Sequence, residues 1–299
     1  MSETVNWRAE FPQLELYENE PLDARTTFRV GGRARWFLCP HSVAEAGDIL
    51  KRCRAQGIKP FFFGNGSNIL ASDDGYDGVI LSAARLDGLR LGDAGEIVAE
   101  SGVSLARLAQ FAAEHSLTGL EFAAGIPGSV GGGTRMNAGA YGGELKDVLL
   151  WVEGLDARGE VRRFSAQECD FSYRHSLFCG GEWFITAACF ALQEGDAGQI
   201  RAKMADFAAR RREKQPLEYP SAGSTFKRPQ GHFAAALIDQ CGLRGLRVGG
   251  AQVSEKHAGF VVNVGNATAA DVLAVMEQVK RTVAAQTGVT LEPEVEILG

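Results

Sequence analysis

Two glycine-rich stretches, each lying downstream of an apolar segment, constrain this chain more than any other feature. Pro60-Phe61-Phe62-Phe63 reads as a buried strand that runs into Gly64-Asn65-Gly66-Ser67-Asn68. The second stretch is Gly125-Ile126-Pro127-Gly128-Ser129-Val130-Gly131-Gly132-Gly133, followed by Asn137-Ala138-Gly139-Ala140-Tyr141-Gly142-Gly143-Glu144. Glycine permits φ > 0 and lets backbone N–H groups line a concavity that suits phosphate oxygens. A plain connecting turn uses the same residues, and spacing alone leaves the two readings of the first loop level. Two such loops in one chain can grip a dinucleotide cofactor from both sides, which strengthens the anion-binding case. Neither is a G-x-G-x-x-G opening a helix in a βαβ unit or a G-x-x-x-x-G-K-[ST] P-loop, so ordinary dinucleotide dehydrogenases and P-loop kinases lose ground.

At 299 residues the chain has room for about two domains, or three compact subdomains. Its 45% hydrophobic and 23% charged make-up supports a large core and excludes disorder. Glycine is the departure, with 37 residues and no collagen-like period. A formal charge of −6 suits nucleic acid poorly. Residues 201–250 nevertheless hold ten Lys and Arg against four acidic residues, which suits a small anionic ligand. For any one of those cations alone, a solvated helix position is the commoner reading. Cys39, Cys53, Cys169, Cys179, Cys189 and Cys241 form neither a C-x-x-C pair nor a Cys/His cluster, so reduced, mostly buried thiols and no metal are expected. The segment Met1 to Phe11 has no apolar h-region, and no stretch approaches the ~18 apolar residues of a spanning helix. The expectation is a soluble cytoplasmic protein with no membrane partner.

Along the chain, Arg33 to Leu38 reads as extended, and Ser42-x-x-Glu45 as a capping box opening a helix that Gly57 ends. Gly78 to Leu81 follows as a strand, and Asp87 to Gly95 is a polar, turn-rich candidate boundary. A strand near Glu96 to Glu100 precedes a helix from Leu105 to His115, with Leu105, Leu108, Phe111 and Ala112 on one face. Strands are expected at Val148 to Asp156, Val161 to Phe164 and Trp183 to Leu192. One later helix ends near Arg212 to Lys214. Another starts at Thr268-x-x-Asp271, carries Val272, Val275, Met276, Val279 and Val283 at helical spacing, and stops at Gly288.

Taken on spacing alone, Arg174 in Phe171-Ser172-Tyr173-Arg174 reads as a structural ion pair. The loop Ser221-Ala222-Gly223-Ser224-Thr225-Phe226-Lys227 lacks the G-x-S-x-G elbow of a serine hydrolase. Leu291-Glu292-Pro293-Glu294-Val295-Glu296-Ile297 alternates as a strand, with its three glutamates on a solvated face.

A set of motifs then runs in order from about Asn19 to Gly299: Thr27-Phe28-Arg29-Val30-Gly31-Gly32, the two glycine loops, Asn137 to Gly142, Tyr173-Arg174, Lys214-Gln215-Pro216, Ala222 to Lys227, Leu237-Ile238-Asp239 and Leu291 to Val295. In these the chain resembles the UDP-N-acetylenolpyruvoylglucosamine reductase (MurB) family of flavoenzymes. It is similar to the shorter type, which lacks longer inserts between Phe190 and Ala222, and it departs from forms that carry Asn at the position of Arg228. The resemblance implies an α+β chain with a vanillyl-alcohol-oxidase/PCMH-type FAD-binding fold in two subdomains, residues 1–84 and 85–215. A C-terminal α+β substrate-binding subdomain, 216–299, would follow, its last strand a candidate to return to the first subdomain.

By the same resemblance, the FAD pyrophosphate lies against Gly64, Asn65, Gly66, Ser67 and Asn68 and against Gly125, Ile126, Pro127, Gly128 and Ser129. NADPH is the hydride donor, and UDP-N-acetylglucosamine enolpyruvate is reduced to UDP-N-acetylmuramate for peptidoglycan. Arg174 would stabilise the enolate-like charge, Ser224 would donate the proton, and Glu294 would assist in its protonated form, with a pKa raised by its surroundings. Tyr141, Lys214 and His257 would contact the sugar nucleotide, Lys214 or an imidazolium facing its diphosphate. Two alternatives stand beside this reading. One is an FAD-dependent oxidase of the same fold acting on an alcohol or sugar; the other is a nucleotide-sugar-binding protein without catalysis, against which the joint presence of Arg174, Ser224 and Glu294 argues. Oligomeric state stays open.

Overall fold

The computed structural model describes residues 5–92 and 95–299. Met1 to Thr4 of the N-terminal segment, and Asp93 and Ala94 of the proposed 87–95 boundary, lie outside them. The chain separates into two compact units, one formed by the residues up to Glu18 with Trp36–Asn65 and Gly78–Ala209, the other by Asn19–Arg35, Gly66–Asp77 and Arg210–Gly299.

In the first unit, an antiparallel sheet has the order Val161–Ser165, Leu149–Leu155, Phe184–Phe190, Ile97–Glu100, Leu89–Leu91. All seven residues of the central strand Phe184–Phe190 are buried, which explains its unbroken apolar run. Across it lies the helix Leu105–Glu114, whose Ser104 cap accepts the Arg107 N–H and whose Leu105, Leu108 and Ala112 enter the core. The turn-rich stretch read as a boundary contains a strand instead, since Leu89–Leu91 pairs with Ile97–Glu100, Leu91 opposite Ile97. Three residues flanked by Gly88 and Gly92 are too short for periodicity to show.

A second core of this unit gathers Trp7, Leu38, Ile49, Leu50, Cys53 and Leu81 around the helix Val43–Ala55. Ser42 caps that helix through the Glu45 N–H, but the Glu45 carboxylate accepts from the His41 N–H, one residue earlier than a reciprocal box requires. Phe61–Phe63 pairs parallel with Tyr76–Ser82, Phe61 opposite Ile80. Cys39, Cys53, Cys169 and Cys189 are buried thiols outside any disulfide, and burial pushes Cys53 up to about 12.

The second unit packs the helix Ala269–Thr287 on an antiparallel sheet of Arg247–Val248, Ala251–Val253 and Val261–Asn263. Thr268 and Asp271 form the reciprocal capping box that their spacing predicts, and Gly288 stops the helix at φ +72°. Val272, Val275, Met276, Val279 and Val283 are all buried, each worth roughly 1.5–3 kcal/mol of transfer. Glu296–Leu298 pairs parallel with Ile69–Ala71. The alternation over 291–297 therefore forms a ladder only at its end, because Pro293 lacks an N–H and makes an isolated bridge to Phe226. Leu291 and Val295 are buried and Glu294 is half-buried, so that carboxylate does not sit on a plainly solvated face. Among the described residues, no helix is long and apolar enough to cross a membrane and no Cys, His, Asp and Glu cluster could hold a metal ion.

Candidate active site

In the first unit, the strand Phe61–Phe63 delivers Gly64 directly against Ser129. A Cβ on Gly64 would stand 2.6 Å from the Ser129 hydroxyl oxygen, so a close approach, not backbone conformation, favours glycine here. That hydroxyl caps the short helix Val130–Arg135 by accepting from the Gly132 N–H. Sequence reasoning does not predict this helix, since Val-Gly-Gly-Gly-Thr-Arg has poor helical propensity. It forms around the Ser129 cap and a close approach of Gly131 to Ser101, whose carbonyl takes the Gly131 N–H at 2.9 Å. The two sequence-predicted loops thus meet at Gly64 and Ser129. Among the described residues, no protein acceptor takes the N–H groups of Asn65, Gly66, Ser67, Gly128 or Ser129. Unengaged backbone amides are the kind of donor that an anion such as a pyrophosphate accepts from.

Tyr141 and Arg174 come together elsewhere in the same unit, each at the tip of a tight turn. Gly139–Ala140 pairs with Gly143–Glu144, leaving Tyr141 at φ +54° and Gly142 at φ +88° as a two-residue loop of type I′ signs. Asn or Gly ordinarily fills the first position; a tyrosine is strained there. Ser172 and His175 exchange backbone hydrogen bonds around Tyr173 and Arg174, and Arg174 has φ +55°. The Arg174 guanidinium reaches the Gly139 carbonyl at 3.4 Å and lies 5.1 Å from the Tyr173 ring centroid. The Tyr141 ring stacks on Phe207 at 4.5 Å and 6°. Beneath both turns sits Asn137, fully buried and also left-handed at φ +42°. Its side chain is the part of this site that sequence reasoning missed; Asn at the head of the quoted Asn-Ala-Gly-Ala-Tyr-Gly motif was the available signal. Glu144 is held below the usual carboxylate range first by the Lys146 ammonium, then by the Asn137 amide and the charge of Arg174, against the opposing effect of burial.

The second unit collects Gly66, Asn68, Ser224 and Glu294. Gly66 is buried at φ +61°, and its carbonyl accepts from the Thr27 N–H. Thr27 in turn bonds Ser221, three residues before Ser224. The Asn68 amide donates to the Glu294 carbonyl at 3.0 Å, and the Glu294 N–H donates to the carbonyl of Thr225 at 2.8 Å. Ser224 itself is exposed between Gly223, at φ +75°, and Thr225, whose hydroxyl accepts from the Val261 N–H. His257 is half-buried against Phe260, and burial lowers its pKa. Its Nδ1 accepts from the Gly259 N–H, so in the neutral ring the proton sits on Nε2. Lys214 ends the helix Ala197–Lys214 and is exposed, and no bond ties it to Ser224 or Glu294. Arg228 stacks over Phe233, its guanidinium 4.7 Å from the ring centroid.

Residues 34–165 match the model of the FAD binding domain, and residues 215–298 match that of the UDP-N-acetylenolpyruvoylglucosamine reductase C-terminal domain. The chain is similar to the UDP-N-acetylenolpyruvoylglucosamine reductase of Caldanaerobacter subterraneus, with 46% identity over 285 residues that cover 95% of this chain and 94% of that one. With the reductase of the same name from Syntrophomonas wolfei it shares 48% identity over 96% of each chain. It is also similar to the crystal structure of UDP-N-acetylenolpyruvylglucosamine reductase (MurB) from Thermus caldophilus, at 34% identity and a TM-score of 0.82, covering 96% of this chain and 99% of that one. The architecture is therefore the α+β, vanillyl-alcohol-oxidase-like FAD-binding fold with the C-terminal domain of this reductase family, and unengaged backbone amides are the kind of donor the pyrophosphate of FAD accepts from. Over almost the whole chain, these matches and the geometry they fall on place it in the UDP-N-acetylenolpyruvoylglucosamine reductase family of FAD-dependent oxidoreductases.

Proposed function

We propose that this chain reduces UDP-N-acetylglucosamine enolpyruvate to UDP-N-acetylmuramate with NADPH as the reductant, a cytoplasmic step of peptidoglycan precursor synthesis. The observation that carries the reading is the strained presentation of Arg174 and Tyr141 in a chain whose similarity to the named reductases runs almost end to end. Left-handed backbone at non-glycine residues costs of order 1 kcal/mol or more and is retained where geometry is needed for chemistry. The proposed organisation is residues 1–84, 85–215 and 216–299. Three apolar cores, around Leu50, Phe190 and Val275, match it in number, although the first also takes in Leu155 and Phe184 and the third Phe28, Val30 and Leu70.

Bound FAD supplies the hydride relay between NADPH and the enolpyruvyl carbon. Gly64 to Asn68 and Gly125 to Ser129 would line its pyrophosphate, with the N–H groups of Asn65, Ser67, Gly128 and Ser129 as available donors. As hydride adds to the terminal carbon of the enolpyruvyl group, negative charge grows on the adjacent carbon and its carboxylate. The Arg174 guanidinium, fixed by its turn and the Gly139 carbonyl, stabilises that charge without reorganising. The Ser224 hydroxyl delivers the proton to the carbon, completing the lactyl ether, and the Glu294 carboxyl assists at the same intermediate. Tyr141, Lys214 and His257 bind the sugar nucleotide, His257 as a neutral donor.

Ser224→Ala tests the assignment. NADPH should still bleach the flavin, while lactyl product forms about 10²-fold more slowly, the usual scale for a lost proton donor. Near-native turnover would remove Ser224 from the mechanism.

A further inference from the structure

The Asn137 carboxamide is built into both turns of the Arg174 site. Its Nδ2 donates to the Glu144 carboxylate at 2.9 Å and to the Ser172 carbonyl at 3.1 Å, and its Oδ1 accepts from the Lys146 N–H at 3.0 Å. Glu144 ends the hairpin that carries Tyr141 and Lys146 lies in the helical turn that follows it; Ser172 opens the turn that carries Arg174. One fully buried side chain therefore uses both of its donors and its acceptor to tie two strained turns into a single block. The left-handed φ of +42° also restricts the position, since Asn and Asp tolerate that conformation better than other side-chain-bearing residues.

We propose that Asn137 is the positioning residue of this site: by holding the Ser172–His175 turn to the Tyr141 hairpin, it aims the Arg174 guanidinium at the developing charge of the substrate. The inference rests on the role given to Arg174 above. Asn137 touches no substrate and acts through Arg174. Loss of its donors leaves the fold and the glycine loops in place but lets the Arg174 turn swing, so the defect falls on turnover more than on substrate affinity.

The test compares Asn137→Asp, the swap N137D/E144Q, and Arg174→Lys as holoenzymes. An aspartate keeps the shape and the acceptor but can donate to neither Glu144 nor Ser172. The swap returns one hydrogen bond with its direction reversed, the introduced glutamine amide donating to the introduced aspartate carboxylate, at the native total charge. The expected results are a fall in kcat of at least tenfold in N137D, KM for the enolpyruvyl sugar nucleotide changed less than threefold, native FAD content, and a recovery of at least threefold in kcat in the swap. Native kcat in N137D, or a swap no better than N137D, overturns the inference while leaving Arg174 in place if Arg174→Lys is slow. Native kcat in Arg174→Lys overturns the reading of Arg174 itself. Should N137D fail to hold FAD, the swap decides: retained FAD with turnover above a tenth of native supports the inference, and failure to hold FAD overturns it.

Discussion

Gly64→Ala places a methyl group 2.6 Å from the Ser129 hydroxyl, closer than a carbon and an oxygen can stand. Gly64 is not among the left-handed residues, so alanine fits the backbone and the whole effect falls on that contact. The hydroxyl must rotate off the Gly132 N–H, and the helix Val130–Arg135 loses its cap, at about 1 kcal/mol. The restriction alanine imposes on the unfolded chain returns about 0.4–1 kcal/mol, so the net destabilisation is about 1 kcal/mol or less. In a chain of this size that corresponds to a Tm lower by about 2–4 °C at most. FAD affinity suffers more, because both loops of the proposed cradle move: a 1.4 kcal/mol loss raises Kd about tenfold. Fluorescence titration of FAD into apoprotein and thermal melts read the two quantities. A double-mutant cycle isolates the cause: Ser129→Ala removes the hydroxyl that the methyl strikes, so G64A added to S129A should cost little more than S129A alone. Additive losses in the cycle, or a G64A protein with native FAD affinity, would refute this reasoning.

Two further predictions concern the second unit. Because burial lowers the His257 pKa, the folded protein resists a proton that the unfolded chain accepts below about pH 6.5. Stability from this group is present above that pH and declines as pH falls, so Tm of the native protein should drop more steeply between about pH 7 and pH 5.5 than that of His257→Phe; parallel profiles would count against a buried neutral ring. Thr268→Ala removes the hydroxyl that accepts the Asp271 N–H and should destabilise by about 1 kcal/mol in urea without changing FAD content; an unchanged midpoint would show that the cap contributes nothing.

The parts of the molecule legible in the sequence are those where one local pattern meets one burial demand. Val272 to Val283 repeat at helical spacing between a capping box and Gly288, and the helix follows from Thr268 to Gly288 as read. Phe184–Phe190 is visible as an apolar run because both of its faces are covered. The helix Val130–Arg135 is not, since glycine disfavours helix and only the tertiary approach of Ser101 to Gly131 and of Leu105 and Leu145 to Gly133 explains why glycine is there. Nor is the strand Leu89–Leu91, too short to show a period. At the site, residue identity points to Arg174 and Tyr141 through family motifs, but their left-handed backbones and the Asn137 amide that joins them depend on pairing between segments 35 residues apart, which no local pattern encodes.

The central claim is tested most directly by an anaerobic half-reaction experiment on the purified holoprotein. NADPH is added until the flavin's visible absorption is lost, and the enolpyruvyl sugar nucleotide is then mixed in without oxygen. The account predicts that colour returns in step with stoichiometric formation of the lactyl sugar nucleotide. A flavin that stays bleached until air is admitted would contradict it and favour an oxidase on the same fold.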